Sequence, residues 1–236
     1  MNDKELDPTK KSHSREALLE AAERLFAEKG YEAVSTRELA EAAGVNLGAI
    51  QYHFGSKAKL FVETVHRMMR GSGCARAQFA LTTTPTSAED AATRLCKFVY
   101  SFLGYMLRPQ GPQPCRLMIR EIFTETTRDE EMYEALVSTV ADEYSKPLED
   151  TLIANLRLLA DNKSQRELQH LARCILGQCT LYATHRPFIE RIMNEDISKS
   201  PALEELAEHI CRFTLRGLRL PETFIDNVIA NASEKV

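Results

Sequence analysis

Apolar residues in this chain recur at spacings of three and four from end to end, and no stretch of β-branched and aromatic residues alternates with period two. A strand buried on one face needs that alternation, so the pattern predicts an all-α fold. With 236 residues, 44% of them hydrophobic, the chain can bury two cores, one in a small head and one in a larger helical bundle. No run approaches the ~20 apolar residues that span a bilayer. The opening MNDKELDPTKKSHS is polar and lacks the apolar stretch of a secretory signal, so a cytoplasmic protein with no membrane partner is expected.

The punctuation between periodic segments divides the chain. Leu18, Ala22, Leu25 and Phe26 form one stripe of a first helix from Ser14 to Lys29, which Gly30 ends. Ser35 and Glu38 have capping-box spacing and open a short helix that Gly44 closes. Asn46 is placed to cap a third helix running through Phe54. Ser56 is placed to cap a fourth carrying Leu60, Phe61, Thr64 and Val65, which weakens at Gly71 and Gly73. These segments make a head over 12–72. A second domain is expected over 80–225, after a Thr-rich linker that includes Thr82 and Thr86.

In that second domain Ser87 and Asp90 start a helix whose Ala91, Leu95, Phe98, Phe102 and Met106 turn inward, and the run from Pro109 to Pro114 ends it. Helices are expected from Cys115 to Glu125 and from Asp129 to Leu159, the latter kinked or broken at Pro147, which has no amide to donate. Ser164 and Glu167 form another capping box, opening a helix to about His185 that is apolar on two faces. One face carries Leu168, Leu171, Ile175, Leu176 and Cys179; the other carries Cys174, Gly177 and Leu181. A helix apolar on both sides needs cover on both. Leu168, Ile175 and Cys179, with Leu203, Leu206, Ile210 and Phe213 of the last long helix, are therefore expected to form a homodimer interface built as a helix bundle.

The segment over about 35–54 has the spacing of a helix-turn-helix. Ala40 is the small residue of the first helix, Gly44 takes the left-handed turn, Val45 follows, and Ile50 locks the second helix. Such a unit places its second helix in the major groove of DNA. Charge alone does not argue for this: residues 1–72 hold eleven Lys plus Arg and eleven Asp plus Glu, so the head is neutral and local arrangement must supply the affinity for phosphate.

Val34-Ser-Thr-Arg-Glu-Leu-Ala40, Ala43-Gly-Val45 and Tyr52-His-Phe-Gly-Ser-Lys57 with Leu60 resemble the signature of the TetR family. The resemblance covers residues 14 to 61. It implies a homodimeric regulator of transcription whose paired recognition helices enter successive major grooves of a palindromic operator, and which an effector in the C-terminal domain releases. Carried onto this chain, Thr36 and the neighbouring Arg37 lie at a helix start suited to phosphate. Lys57 and Lys59 sit in the first turn of their helix, the unfavourable end for a cation unless an anion such as a DNA phosphate is near. Asn46, Leu47, Gly48, Ala49, Gln51, Tyr52 and His53 form the DNA-facing set. Within it Gln51 is suited to an adenine edge, Tyr52 and His53 to phosphate or sugar, and Gly48 to close backbone approach.

Residues 115 to 160, with Arg120-Glu121 and Lys146-Pro-Leu148, resemble the CecR-like branch, which is associated with sensing toxic small molecules. Phe98, Phe102, Tyr105, Met118, Tyr144, Gln178 and Tyr182 are expected to line an effector pocket, with Arg120 or Glu121 fixing a polar group. The effector is a small molecule that the sequence does not name. No cofactor is expected, and no catalytic motif such as GxSxG, a Walker loop or HExxH is present. Cys74, Cys96, Cys115, Cys174, Cys179 and Cys211 are dispersed and form no CxxC pair, which points to reduced thiols and no metal. The alternative is a regulator of the same fold triggered by oxidation of Cys174 with Cys179, or by a metal at His170, His185 or His209 with a cysteine.

Overall fold

The computed structural model describes residues 8–72, 81, 84–108, 113–123 and 129–233, and among these every regular element is a helix. They are α1 (Pro8–Lys29), α2 (Thr36–Ala42), α3 (Gly48–Phe54), α4 (Lys57–Arg70), α5 (Ala88–Leu107), α6 (Gln113–Phe123), α7 (Glu130–Val140), α8 (Lys146–Leu159), α9 (Gln165–Thr184), α10 (Arg186–Met193), α11 (Ala202–Gly217) and α12 (Glu222–Ser233). Cys74, Gly73, Thr82, Pro109 and Glu125 fall outside the described residues.

Two compact units result, and their boundary differs from the expected one. The first comprises Met1–Gly71 with Gln113–Glu143, the second Ser72–Pro112 with Tyr144–Val236. The head expected over 12–72 is thus joined by α6 and α7, which pack on α4, α6 also on α1. An aromatic cluster lies at the centre of this unit: the Phe61 ring stands edge-on to Phe26 at 5.0 Å and to Tyr31 at 5.1 Å. Such pairs contribute about 0.5–1.5 kcal/mol each beyond their buried area.

α1 begins at Pro8 rather than Ser14, since a proline in the first helical turn forfeits only an amide that has no helical partner. The break expected at Pro147 falls just before it. Ala141–Ser145 form a π-helical turn between α7 and α8, and Pro147 sits in the first turn of α8, where its missing amide costs least.

In the second unit α5 is the central rod, packed on α8, α9, α11 and α12. It buries residues on nearly every side, including Leu95, Phe98, Val99, Leu103 and Leu107. Local caps set the ends: Ser87 Oγ accepts from the Asp90 amide at 3.1 Å, and Ser164 and Glu167 close a full capping box at the start of α9.

Candidate nucleic-acid interface

Within the first unit, α2, the turn and α3 are fixed by a few buried side chains. Leu39 and Ala40 of α2 and Ile50 and Phe54 of α3 are buried, and the Val45 amide donates to the Ala40 carbonyl at 3.0 Å. Gly44 has φ +65°, and a Cβ there would meet nothing within 4 Å. Backbone conformation, not space, is therefore what makes this position a glycine. With Ile50 and Phe54 turned inward, Asn46, Leu47, Gly48, Gln51 and Tyr52 are exposed; Leu47 is 54% and Tyr52 56% accessible. Leu47 with Gln51, and Gly48 with Tyr52, are four residues apart and so share a helix face.

Several details depart from expectation. Asn46 does not cap α3 with its side chain: the helix starts at Gly48 after Leu47, and the Asn46 carbonyl accepts from the Ala49 amide at 3.0 Å. The Asn46 Oδ1 instead lies 3.3 Å from where a Cβ on Gly48 would sit, so Gly48 also makes room for Asn46. His53 is half-buried and its Nε2 is hydrogen-bonded with Ser14 Oγ at 2.7 Å, which fastens the end of α3 to α1. Thr36 is half-exposed in the first turn of α2, beside Ser35, whose Oγ accepts from the Glu38 amide. The Glu38 carboxylate takes an ion pair with Lys29 at 2.6 Å, and Arg37 pairs with Glu41 at 2.9 Å on the surface.

Several cations of the head are engaged within it. Arg15 is paired with Glu63 and lies 5.2 Å from the Phe54 ring, while Arg67 bridges Glu16 at 2.5 Å and Glu23 at 2.8 Å. Lys57, the first helical residue after the Ser56 cap, is folded back with Nζ 4.1 Å from the centre of the Tyr31 ring. Burial pulls its pKa down, against the opposing pull of Glu32, Asp129 and Glu121.

No local pattern marks what holds Tyr31. Its amide donates to Glu121 Oε1 at 3.2 Å and its hydroxyl is hydrogen-bonded to Asp129 Oδ2. Arg120 Nη2 donates to the Phe26 carbonyl at 2.7 Å and Nε to Glu121 Oε1 at 3.2 Å. Gly30 has φ +87°, and a Cβ on it would lie 3.0 Å from Arg120 Nη2 and 3.1 Å from Glu121 Oε1. The assignment of Arg120 and Glu121 to a bundle pocket is therefore corrected. They lie in the first unit, where they fasten α6 to the end of α1, and Glu121 is only 4% exposed. Arg120 also borders a cleft of about 760 Å³ whose lining mixes Glu20, Glu23, Arg24, Glu28 and Arg116 with Ala27, Met68, Gln113 and Leu117, more charged than an apolar effector pocket.

Of the remaining expected pocket residues, Met118 also lies in the first unit, while Phe98, Phe102, Tyr105, Tyr144, Gln178 and Tyr182 lie in the second. Phe98 and Phe102 stack at 5.2 Å inside the bundle. Tyr105, Tyr144, Gln178 and Tyr182 are half-buried, and Gln178 Nε2 bonds to the Cys174 carbonyl of its own helix at 3.3 Å. A polar group that sequence reasoning missed is Asn155 of α8, fully buried. Its Nδ2 donates to the Thr151 carbonyl at 2.9 Å, while its Oδ1 has no partner among the described residues. A lone Asn at a helix core position among Leu152, Ile153 and Leu156 was its only signal.

The expected dimer face also needs correction. Leu168, Ile175, Cys179, Leu206 and Ile210 are buried within the second unit and Leu203 is half-buried; α9 and α11 pack on α5 and on each other, and this consumes that stripe. Phe213 alone of the set is open, at 61%. The uncovered face of α9 runs through His170, Cys174, Gly177 and Leu181, and that of α11 through His209 and Phe213, whose rings lie 6.5 Å apart. Cys174 and Cys179 are not brought together: the first is exposed and the second buried, its thiol pushed up to about 12 by burial. Among the described residues no group of three or more His, Cys, Asp or Glu is arranged to hold a metal.

Comparison with known proteins divides the chain between α4 and α5, so that the C-terminal match includes α6 and α7 of the first unit. The family of bacterial regulatory proteins, tetR family, matches residues 18–64, and the C-terminal domain of the HTH-type transcriptional dual regulator CecR matches residues 91–218. The HTH-type transcriptional repressor AcnR of Corynebacterium efficiens is 54% identical over 50 residues, 21% of this chain and 27% of AcnR, so that likeness is confined to about a quarter of AcnR. The HTH-type transcriptional repressor NicS of Pseudomonas putida is 22% identical over 213 residues, 87% of this chain and 92% of NicS. Among solved structures, AibR in complex with isovaleryl coenzyme A and operator DNA superposes with a TM-score of 0.54 at 17% identity, covering 85% of this chain and 97% of AibR, which establishes a shared fold.

Proposed function

The chain belongs to the TetR family of bacterial regulatory proteins and carries a CecR-type C-terminal domain, and from that premise we propose that it is a homodimeric cytoplasmic repressor, not an enzyme, released from a palindromic operator by a small molecule. The observation that carries the reading is the face of α3: Ile50 and Phe54 are sunk into the head, while Leu47, Gly48, Gln51 and Tyr52 are turned out together. Gln51 reads a base edge through its amide, Thr36, Arg37, Tyr52 and Lys57 engage the backbone, and His53 holds the angle of α3 through Ser14.

Two copies join through the uncovered faces of α9 and α11 as a four-helix bundle, with Leu181 and Phe213 as apolar anchors and Gly177 allowing close approach. The effector enters the bundle of the second unit and donates a hydrogen bond to Asn155 Oδ1. An unpaired buried acceptor costs about 1–3 kcal/mol, a cost that such a ligand removes.

Selection of duplexes from a random pool by the purified full-length protein tests the reading. It is expected to enrich a twofold-symmetric motif with half-sites about 10 base pairs apart. Absence of any enriched sequence would overturn it. For the ligand site, Asn155→Leu is expected to raise thermal stability while abolishing release of DNA by compounds that release the native protein. A variant that is stabilised and still released normally would remove Asn155 from the site.

A further inference from the structure

We infer that the N-terminal end of α7 competes with DNA for Lys57: Asp129 is a positioning residue that holds the Tyr31 platform and its field so that the ammonium is seated away from phosphate. The inference rests on Lys57 being a backbone contact, as proposed above, and adds what governs its availability.

The seat is built from both added helices of the first unit. Glu121 of α6 holds the Tyr31 amide at 3.2 Å, and Asp129, the cap of α7, takes the Tyr31 hydroxyl. The ring is thus tied at its backbone and at its far end, and its face is presented to Lys57 Nζ at 4.1 Å. A cation over an aromatic face is attracted by the ring quadrupole, and the carboxylates of Glu32, Asp129 and Glu121 add to that attraction. Burial opposes the Asp129 charge, but the Tyr31 hydroxyl, the Met132 amide and Lys57 together hold this carboxylate below its ordinary range. Glu131, in the first turn of α7, accepts from Ser56 Oγ at 3.3 Å, so the same helix end also reaches the residue that caps the helix of Lys57.

A phosphate that recruits Lys57 must draw it out of this seat. Part of the attraction that DNA could gain from the cation is already satisfied within the protein, and the strength of the seat depends on where α6 and α7 hold Tyr31. A change in those two helices therefore alters affinity for all DNA sequences alike, without touching α3. This differs from any effect on base reading, which would change the preferred sequence.

Asp129→Asn isolates the charge, because Asn caps a helix about as well as Asp and keeps an acceptor for Tyr31. Binding of the full-length protein to a fluorescent random-sequence duplex is measured across salt concentrations for the native protein, Asp129→Asn, Lys57→Ala and the double variant. Asp129→Asn is expected to bind about three- to tenfold tighter, with a salt slope steeper by up to about one released ion. In the Lys57→Ala background the gain disappears. An unchanged or weakened Asp129→Asn overturns the inference, as does a gain that persists undiminished without Lys57, since that would reflect net charge alone. No binding by the native protein at low salt would instead overturn the DNA-binding reading itself.

Discussion

Gln51 and Lys57 stand close in sequence, and the roles proposed for them in binding differ. Gln51 is exposed on α3 beside Leu47, whereas Lys57 is half-buried over Tyr31. Gln51→Ala is therefore expected to cost about 1–3 kcal/mol against the cognate sequence, and little against random DNA, because only a base edge loses its partner. Lys57→Ala is expected to weaken both equally and to lower the salt slope by less than one, since the Tyr31 seat holds back part of its contact. Competition binding with operator and random duplexes separates the two; equal losses on both duplexes for each variant would contradict the assignment. Gly44 was legible as a left-handed turn from the sequence, since the helix ends on both sides demand one. Gly30 was legible only as a helix end. Its crowding by Arg120 and Glu121 comes from residues about ninety positions away, which no local pattern encodes.

At the scale of elements, what was local was legible. The caps at Ser87 and Ser164 lie three residues from their partners, and both formed as their spacing implied. The orientation of α9 was not legible. Ile175 and Cys174 are neighbours on a helix apolar on both sides, and the choice of which faces inward is made by α5, α8 and α11. The start of α5 offers a pH test. Asp90 accepts from Arg94 and from the Thr86 amide, which hold its pKa down to about 2 from 3.8. A lowered folded value means the stabilisation is complete above the unfolded pKa and is lost as pH falls from about 4 through about 2. The melting-temperature gap between the native protein and Asp90→Asn should accordingly be present at neutral pH and close at the acid end of that window. A gap independent of pH would mean that the charge contributes nothing.

For the molecule as a whole, the family's architecture was readable in the head because its motif is compact, whereas the proposed assembly rests on a surface that only packing reveals. Phe213 at 61% and Leu181 at 50% exposure stand on two helices that pack on each other. Phe213→Asp or Leu181→Asp should leave the helical content unchanged and shift the sedimentation coefficient from dimer to monomer, with operator affinity falling in parallel. A dimer that survives both substitutions would place the interface elsewhere. The measurement that bears most directly on the account is a hydroxyl-radical footprint of the full-length protein on its selected duplex. Two dyad-related patches of protection about 34 Å apart are predicted, one for each α3. A single patch, or two separated by much more than one helical turn, would contradict it.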